Sequence, residues 1–101
     1  MFRKPVRIKD ENYKQWIIRL PCCASGGYGY DPNTYERIND PHHVNDKSGG
    51  SAKFNDHRLI PLTHKHHVEL HQIGQETFAE KYGLDYEVLI EAYRRMYGKI
   101  N

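Results

Sequence analysis

The sequence predicts a small α+β domain folded as a single unit over residues 1–101. Three observations carry that reading. Two short β-prone stretches, about 40–45 and 58–62, flank a glycine-rich loop. A histidine-rich segment with helix start and stop signals follows the second stretch. One amphipathic helix precedes the pair at about 11–20, and two more follow it over about 75–97. The core is expected over about 35–74, with the other helices in support.

The 101 residues suffice for one domain with a small core. Hydrophobic residues make up 38% and charged residues 28%, which suits a compact protein with much surface. A formal charge of +2 permits nucleic-acid binding without requiring it. No apolar run approaches the roughly 18–20 residues that span a bilayer. The start, Met1-Phe2-Arg3-Lys4-Pro5, lacks the apolar core of a signal peptide. The expectation is a cytoplasmic protein with no membrane partner. Cys22 and Cys23 are adjacent, where a disulfide is sterically awkward, so two free thiols are expected.

Residues 1–9 read as an extended basic lead-in. Asp10 is placed to cap the first helix, whose Tyr13, Trp16, Ile17 and Leu20 fall on one face and which Pro21 ends. Residues 22–41 are rich in turn formers interleaved with Tyr28, Tyr30 and Tyr35, and read as loop with a short strand near 35–38. Those tyrosines either fold over the core or stack on nucleotide bases. Asp40–Asn45 reads as a strand carrying His42 and His43 on opposite sides. Residues 46–53 form the glycine-rich loop, without the residue order of a P-loop. After Asn55-Asp56-His57 comes the strand Arg58–Leu62. Thr63 caps the histidine helix and Gly74 stops it. Gly83 closes the next helix. Asp85 opens the last, expected to end near Tyr97 before Gly98 with Leu89, Ala92, Tyr93 and Met96 on its packing face.

Four of the seven histidines lie in His64-Lys65-His66-His67-Val68-Glu69-Leu70-His71. On a helix, His67 and His71 stand one turn apart, with Cβ atoms about 5–6 Å from each other. Two imidazoles so placed can share one metal ion at roughly 2.0–2.1 Å. His64 lies on the same face, so spacing leaves open which two of the three ligate. A third ligand must come from elsewhere, and the doublet His42-His43 is the best donor.

Taken in order, the motifs resemble the HNH (His-Me finger, ββα-metal) nucleases, and most closely the phage and prophage group of Ref-like recombination-enhancement nucleases. The resemblance is carried by Leu20-Pro21-Cys22, His42-His43, Gly49-Gly50 with Lys53, and Asp56. It continues through Pro61-Leu62-Thr63-His64-Lys65-His66-His67, His71, and Gly74 with Phe78, spanning about residues 13–84. It implies a ββα-metal finger with an N-terminal helix and two C-terminal helices. It implies His42, His67 and His71 as ligands of one divalent metal (zinc, magnesium, manganese or nickel). His43 would be the general base, and Asp56, or less favourably Asn55, the residue that orients it. The usual residue there is asparagine.

The implied activity is endonucleolytic hydrolysis of DNA phosphodiesters in phage or prophage recombination or processing, with a recombinase filament as a partner by analogy. The chemistry suits the residue types, because histidine exchanges protons near neutral pH and a metal on imidazoles keeps its positive charge. Lys47, Lys53 and Arg58 are candidates for flanking phosphates. The alternative is a non-catalytic nucleic-acid-binding accessory protein of the same fold. Relatives in the group commonly carry a second, structural zinc on two cysteine-containing pairs. Here its positions read Cys22, Ser25, Thr63 and His66. Hydroxyls are poor zinc ligands, so that structural zinc is expected to be absent.

Overall fold

A computed structural model describes residues 8–44 and 55–100. The expected lead-in therefore lies outside the described residues up to position 7, as does the whole glycine-rich loop with Lys47 and Lys53. Four helices and two small antiparallel sheets make a compact α+β domain of these residues. None of the helices is long and apolar enough to cross a membrane.

Helix α1 runs Glu11–Ile17, with the Asp10 side chain accepting from the Tyr13 N–H as its cap. It stops a turn before Pro21. The Arg19 and Leu20 N–H groups bond instead to the carbonyls of Trp16 and Ile17, which tightens the end of the helix. Strands β1 (Gly29–Tyr30) and β2 (Arg37–Ile38) form a small hairpin, of which only β2 was expected. Strand β3 (Asp40–His43) pairs antiparallel with β4 (Leu59–Leu62), His42 opposite Ile60 and His43 opposite Leu59. Pro41 faces Pro61 across that pair. Neither proline has an N–H, so they occupy a non-hydrogen-bonded position, and the ladder loses nothing.

All four residues of β4 are buried, because the strand is covered on both faces. Leu59 packs with Tyr13 and Ile17 of α1. Ile60 and Leu62 pack with Cys22, Val44, Leu70, Phe78 and Ile90. A short 3-10 turn, Asp56–Arg58, leads into β4, and Ile8 pairs with Asn55 beside it.

Helix α2 (His64–Ile73) is capped by Thr63, as expected, and ends at Gly74, whose φ of 91° falls where glycine is favoured. Helix α3 (Gln75–Tyr82) closes at Gly83, and α4 runs Tyr86–Ile100 with the Asp85 side chain accepting from the Val88 N–H. The last helix corrects two expectations. Gly98 lies inside it rather than stopping it. Its packed face carries Tyr86, Leu89, Ile90, Tyr93 and Tyr97, while Ala92 and Met96 face solvent.

Candidate metal centre and its flanking histidine–aspartate pair

Alternation along β3 divides the doublet. His42 shares its face with Asp40 and its cross-strand neighbour Ile60, whereas His43 shares the other with Leu59. His42 is buried and His43 is half-exposed.

On the His42 side, α2 brings up His67 and His71. The potential ligand atoms of His42, His67 and His71 all lie within 4.8 Å of one another, the one such group among the described residues. His42 Nδ1 is 3.3 Å from His67 Nε2, and His71 Nε2 is 3.2 Å from the same atom. Nitrogens bound at about 2.0–2.1 Å to the corners of a tetrahedron stand about 3.3–3.4 Å apart. Two edges of the donor set match that spacing and the third lies within 4.8 Å, close enough for three imidazoles to take one divalent ion. Burial pushes His42 down to about 4, and the neighbouring His67 adds to this against a hydrogen bond that the imidazole donates to Gln75. Its imidazole is neutral at physiological pH, the form that ligates.

Of the helix histidines, His67 and His71 join His42 in that group and His64 does not, and behind them stands Asp40. Its Oδ2 lies 2.8 Å from His64 Nδ1 and 3.0 Å from His67 Nδ1. A carboxylate only accepts, so His67 donates its Nδ1–H to it and keeps a lone pair on Nε2 toward the cluster. His64 is held outside, with its side chain largely exposed. Partial burial works against ionisation of Asp40, but the bonds to His64 and His67 outweigh it and hold the carboxyl below its usual 3.8. Sequence reading missed Asp40, although it stands two residues before His42 on the same strand face.

On the other face, His43 Nε2 lies 2.8 Å from Asp56 Oδ1. The carboxylate fixes the proton on Nε2, so that Nδ1 carries the lone pair. Asp56 is itself held, since its Oδ2 accepts the Asp10 N–H at 2.8 Å. Burial opposes ionisation of Asp56, yet these two bonds hold its carboxyl below 3.8. Asp10 Oδ2 lies 3.0 Å from His57 Nε2, so a second histidine–aspartate pair backs the first. Asn55 is turned elsewhere, its side chain accepting from the His57 N–H within its own turn. Of the two candidates for orienting His43, Asp56 is the one in contact.

Arg58, a candidate for flanking phosphates, is engaged within the fold. Its guanidinium makes a two-pronged pair with Glu87 at 2.7 and 3.0 Å, and its Nε donates to the Val44 carbonyl. Lys47 and Lys53 lie outside the described residues.

The four positions Cys22, Ser25, Thr63 and His66 gather where α2 begins. The Thr63 hydroxyl and His66 Nδ1 are 2.7 Å apart. Burial raises the Cys22 thiol, but the Ser25 hydroxyl and nearby backbone N–H groups overcome this and set it below 9.0. Both cysteines are free thiols, and burial pushes Cys23 up to about 12.

No solved structure matches the chain. The uncharacterized protein YdfU of Escherichia coli K12 is 32% identical over 81 residues. That alignment covers 78% of this chain and 20% of YdfU, so the chain spans about a fifth of the length of the curated relative it matches. A family model covers residues 1–98, and with them both histidine clusters and every residue that holds them: the chain belongs to the family described as protein of unknown function, DUF968.

Proposed function

We propose that this domain is a ββα-metal (HNH-type) endonuclease that hydrolyses DNA phosphodiester bonds, in the recombination or processing setting that the resemblance implies. The observation that carries the reading is the two-sided use of β3. One histidine of the doublet joins two from α2 in a metal-fitting cluster, and the next is oriented by a carboxylate. The order β3, β4, α2 supports the same fold type.

His42, His67 and His71 would hold the ion. When bound, a divalent ion there supplies positive charge and open coordination positions for a phosphate oxygen and the leaving oxygen. The chain's own chemistry lies at His43. With its Nε2 proton engaged by Asp56, Nδ1 takes the proton from the attacking water as the new P–O bond forms. Asp56 stabilises the imidazolium that results, and Asp10 keeps Asp56 in place through its N–H. Ser25 and Thr63 replace soft ligands with hydroxyls, so the reading includes one metal and no structural zinc.

The test is a cleavage assay on supercoiled plasmid and on single-stranded DNA with magnesium, manganese, nickel or zinc. Cleavage should stop with a chelator and should fall about 100- to 10,000-fold in His43→Ala, with metal binding by that variant unchanged. A protein that shifts DNA without cutting it under any of the metals is instead the accessory binder. Cutting that is indifferent to His43→Ala would sink the catalytic assignment.

A further inference from the structure

The β1–β2 hairpin takes no part in the metal cluster, yet it carries two of the most exposed aromatic rings among the described residues. Tyr30 is 64% exposed and Tyr35 is 82% exposed. Tyr35 also has φ at 60°, a conformation in which a bulky side chain is unusual. The turn imposes it. Asp31 Oδ1 accepts the N–H groups of Asn33 and Thr34, the Tyr35 N–H bonds to the Asp31 carbonyl, and the Asp31 N–H bonds to that of Glu36. The ring is thus presented at the tip of a tied turn.

Behind it, Tyr30 pairs with Arg37 across the hairpin, so their side chains share a face. The Arg37 guanidinium lies 5.5 Å from the ring centre of Tyr28. Exposed flat rings beside a guanidinium match a ligand with planar bases and an anionic backbone.

The hairpin is also bolted to the strand that bears the site. Buried Asn39, the residue between β2 and β3, accepts the Gly29 N–H and donates to the carbonyls of Leu20 and Gly27. Its own N–H bonds to the Ile18 carbonyl. Gly29 is required here, because a Cβ would meet the Ile38 carbonyl oxygen at 2.7 Å. Ile38 precedes His42 by four residues, at most roughly 13 Å of extended chain.

We propose that this hairpin is a single-strand-binding prong, on which unpaired bases flanking the scissile phosphate stack against Tyr30 and Tyr35 with Arg37 beside their backbone. This rests on the nucleic-acid reading of the site and narrows its substrate to DNA with unpaired bases, since a duplex hides the faces of its bases inside the stack.

The test measures fluorescence anisotropy of a short labelled single strand, and of its duplex, with the full chain and magnesium-free buffer. The variants are Tyr30→Ala, Tyr35→Gly (glycine tolerates the positive φ), their combination, and Tyr30→Phe with Tyr35→Phe. Circular dichroism melting checks that each is folded. Each lost ring should weaken single-strand binding at least about five-fold. Phenylalanine should restore it, and duplex binding should change less. Unaltered single-strand affinity in the double variant overturns the prong, as does a parent that binds both DNA forms equally or neither. The nuclease reading is judged separately by His43→Ala. Ring-dependent binding with cleavage indifferent to His43 supports the prong and sinks the base, whereas ring-independent binding with His43-dependent cleavage does the reverse.

Discussion

Asp40 Oδ2 sits 3.0 Å from His67 Nδ1 and 2.8 Å from His64 Nδ1. By accepting a hydrogen bond from the His67 Nδ1–H it presents Nε2 as a lone-pair donor, which a freely tautomerising imidazole does only part of the time. Removing the carboxylate should therefore cost metal affinity without removing a ligand. Asp40→Ala is expected to weaken binding of zinc or nickel by about 10- to 100-fold. Asp40→Asn should cost less, because its amide oxygen still accepts. Isothermal titration distinguishes the two, and an affinity unchanged in Asp40→Ala would remove Asp40 from the site. At this scale the sequence was legible where spacing carried the signal: His67 and His71 on one helix face, and His42 and His43 on opposite strand faces. It was ambiguous between His64 and its neighbours because an i+3 and an i+4 residue are equivalent on spacing. What separates them is that His67 and His71 gather with His42 while His64 does not.

Helix α1 reaches the site through its cap. Asp10 Oδ1 accepts the Tyr13 N–H, Oδ2 meets His57, and the Asp10 N–H holds Asp56. The Tyr13 bond is the chief reason the Asp10 carboxyl lies below its ordinary 3.8, with His57 adding to it against burial. A carboxyl lowered by folding gives stability that is fully present above its unfolded value. That stability is lost as pH falls through the folded value. Urea unfolding followed from about pH 6 down to pH 2 should show that loss for the parent and a reduced one for Asp10→Asn, whose amide still caps but cannot titrate. Asp10→Ala should lose about 1 kcal/mol at neutral pH for the missing cap. Parallel pH profiles for parent and Asp10→Asn would rule the linkage out. Caps of this kind read well from sequence: Asp10, Thr63 and Asp85 all act as expected. Strand β1 did not, because two residues are too few for a period and Asn39 holds them from ten positions away. The face of α4 was misread because its buried stripe is largely tyrosine, which a plain apolar pattern undercounts.

For the molecule as a whole, the histidine cluster joins α2 to β3 in a domain whose core is small. An ion bound there ties a helix to an edge strand across 25 residues of chain, and unfolded chain offers no such preformed site. Binding then adds to folding stability by mass action, about 2.7 kcal/mol at a free ion concentration one hundred times Kd. In a domain of about 100 residues each kcal/mol moves the midpoint about 4–8 °C. Saturating zinc or nickel should therefore raise Tm by about 10–20 °C over chelator-treated protein, and His67→Ala should abolish most of that rise. Metal analysis should give one tightly held ion per chain, unchanged in Cys22→Ser. The cysteine variant discriminates because Cys22 lies in the separate group with Ser25, Thr63 and His66. Two ions per chain, with one lost in Cys22→Ser, would restore the structural zinc. A Tm indifferent to metal would mean that the three imidazoles gather without holding an ion.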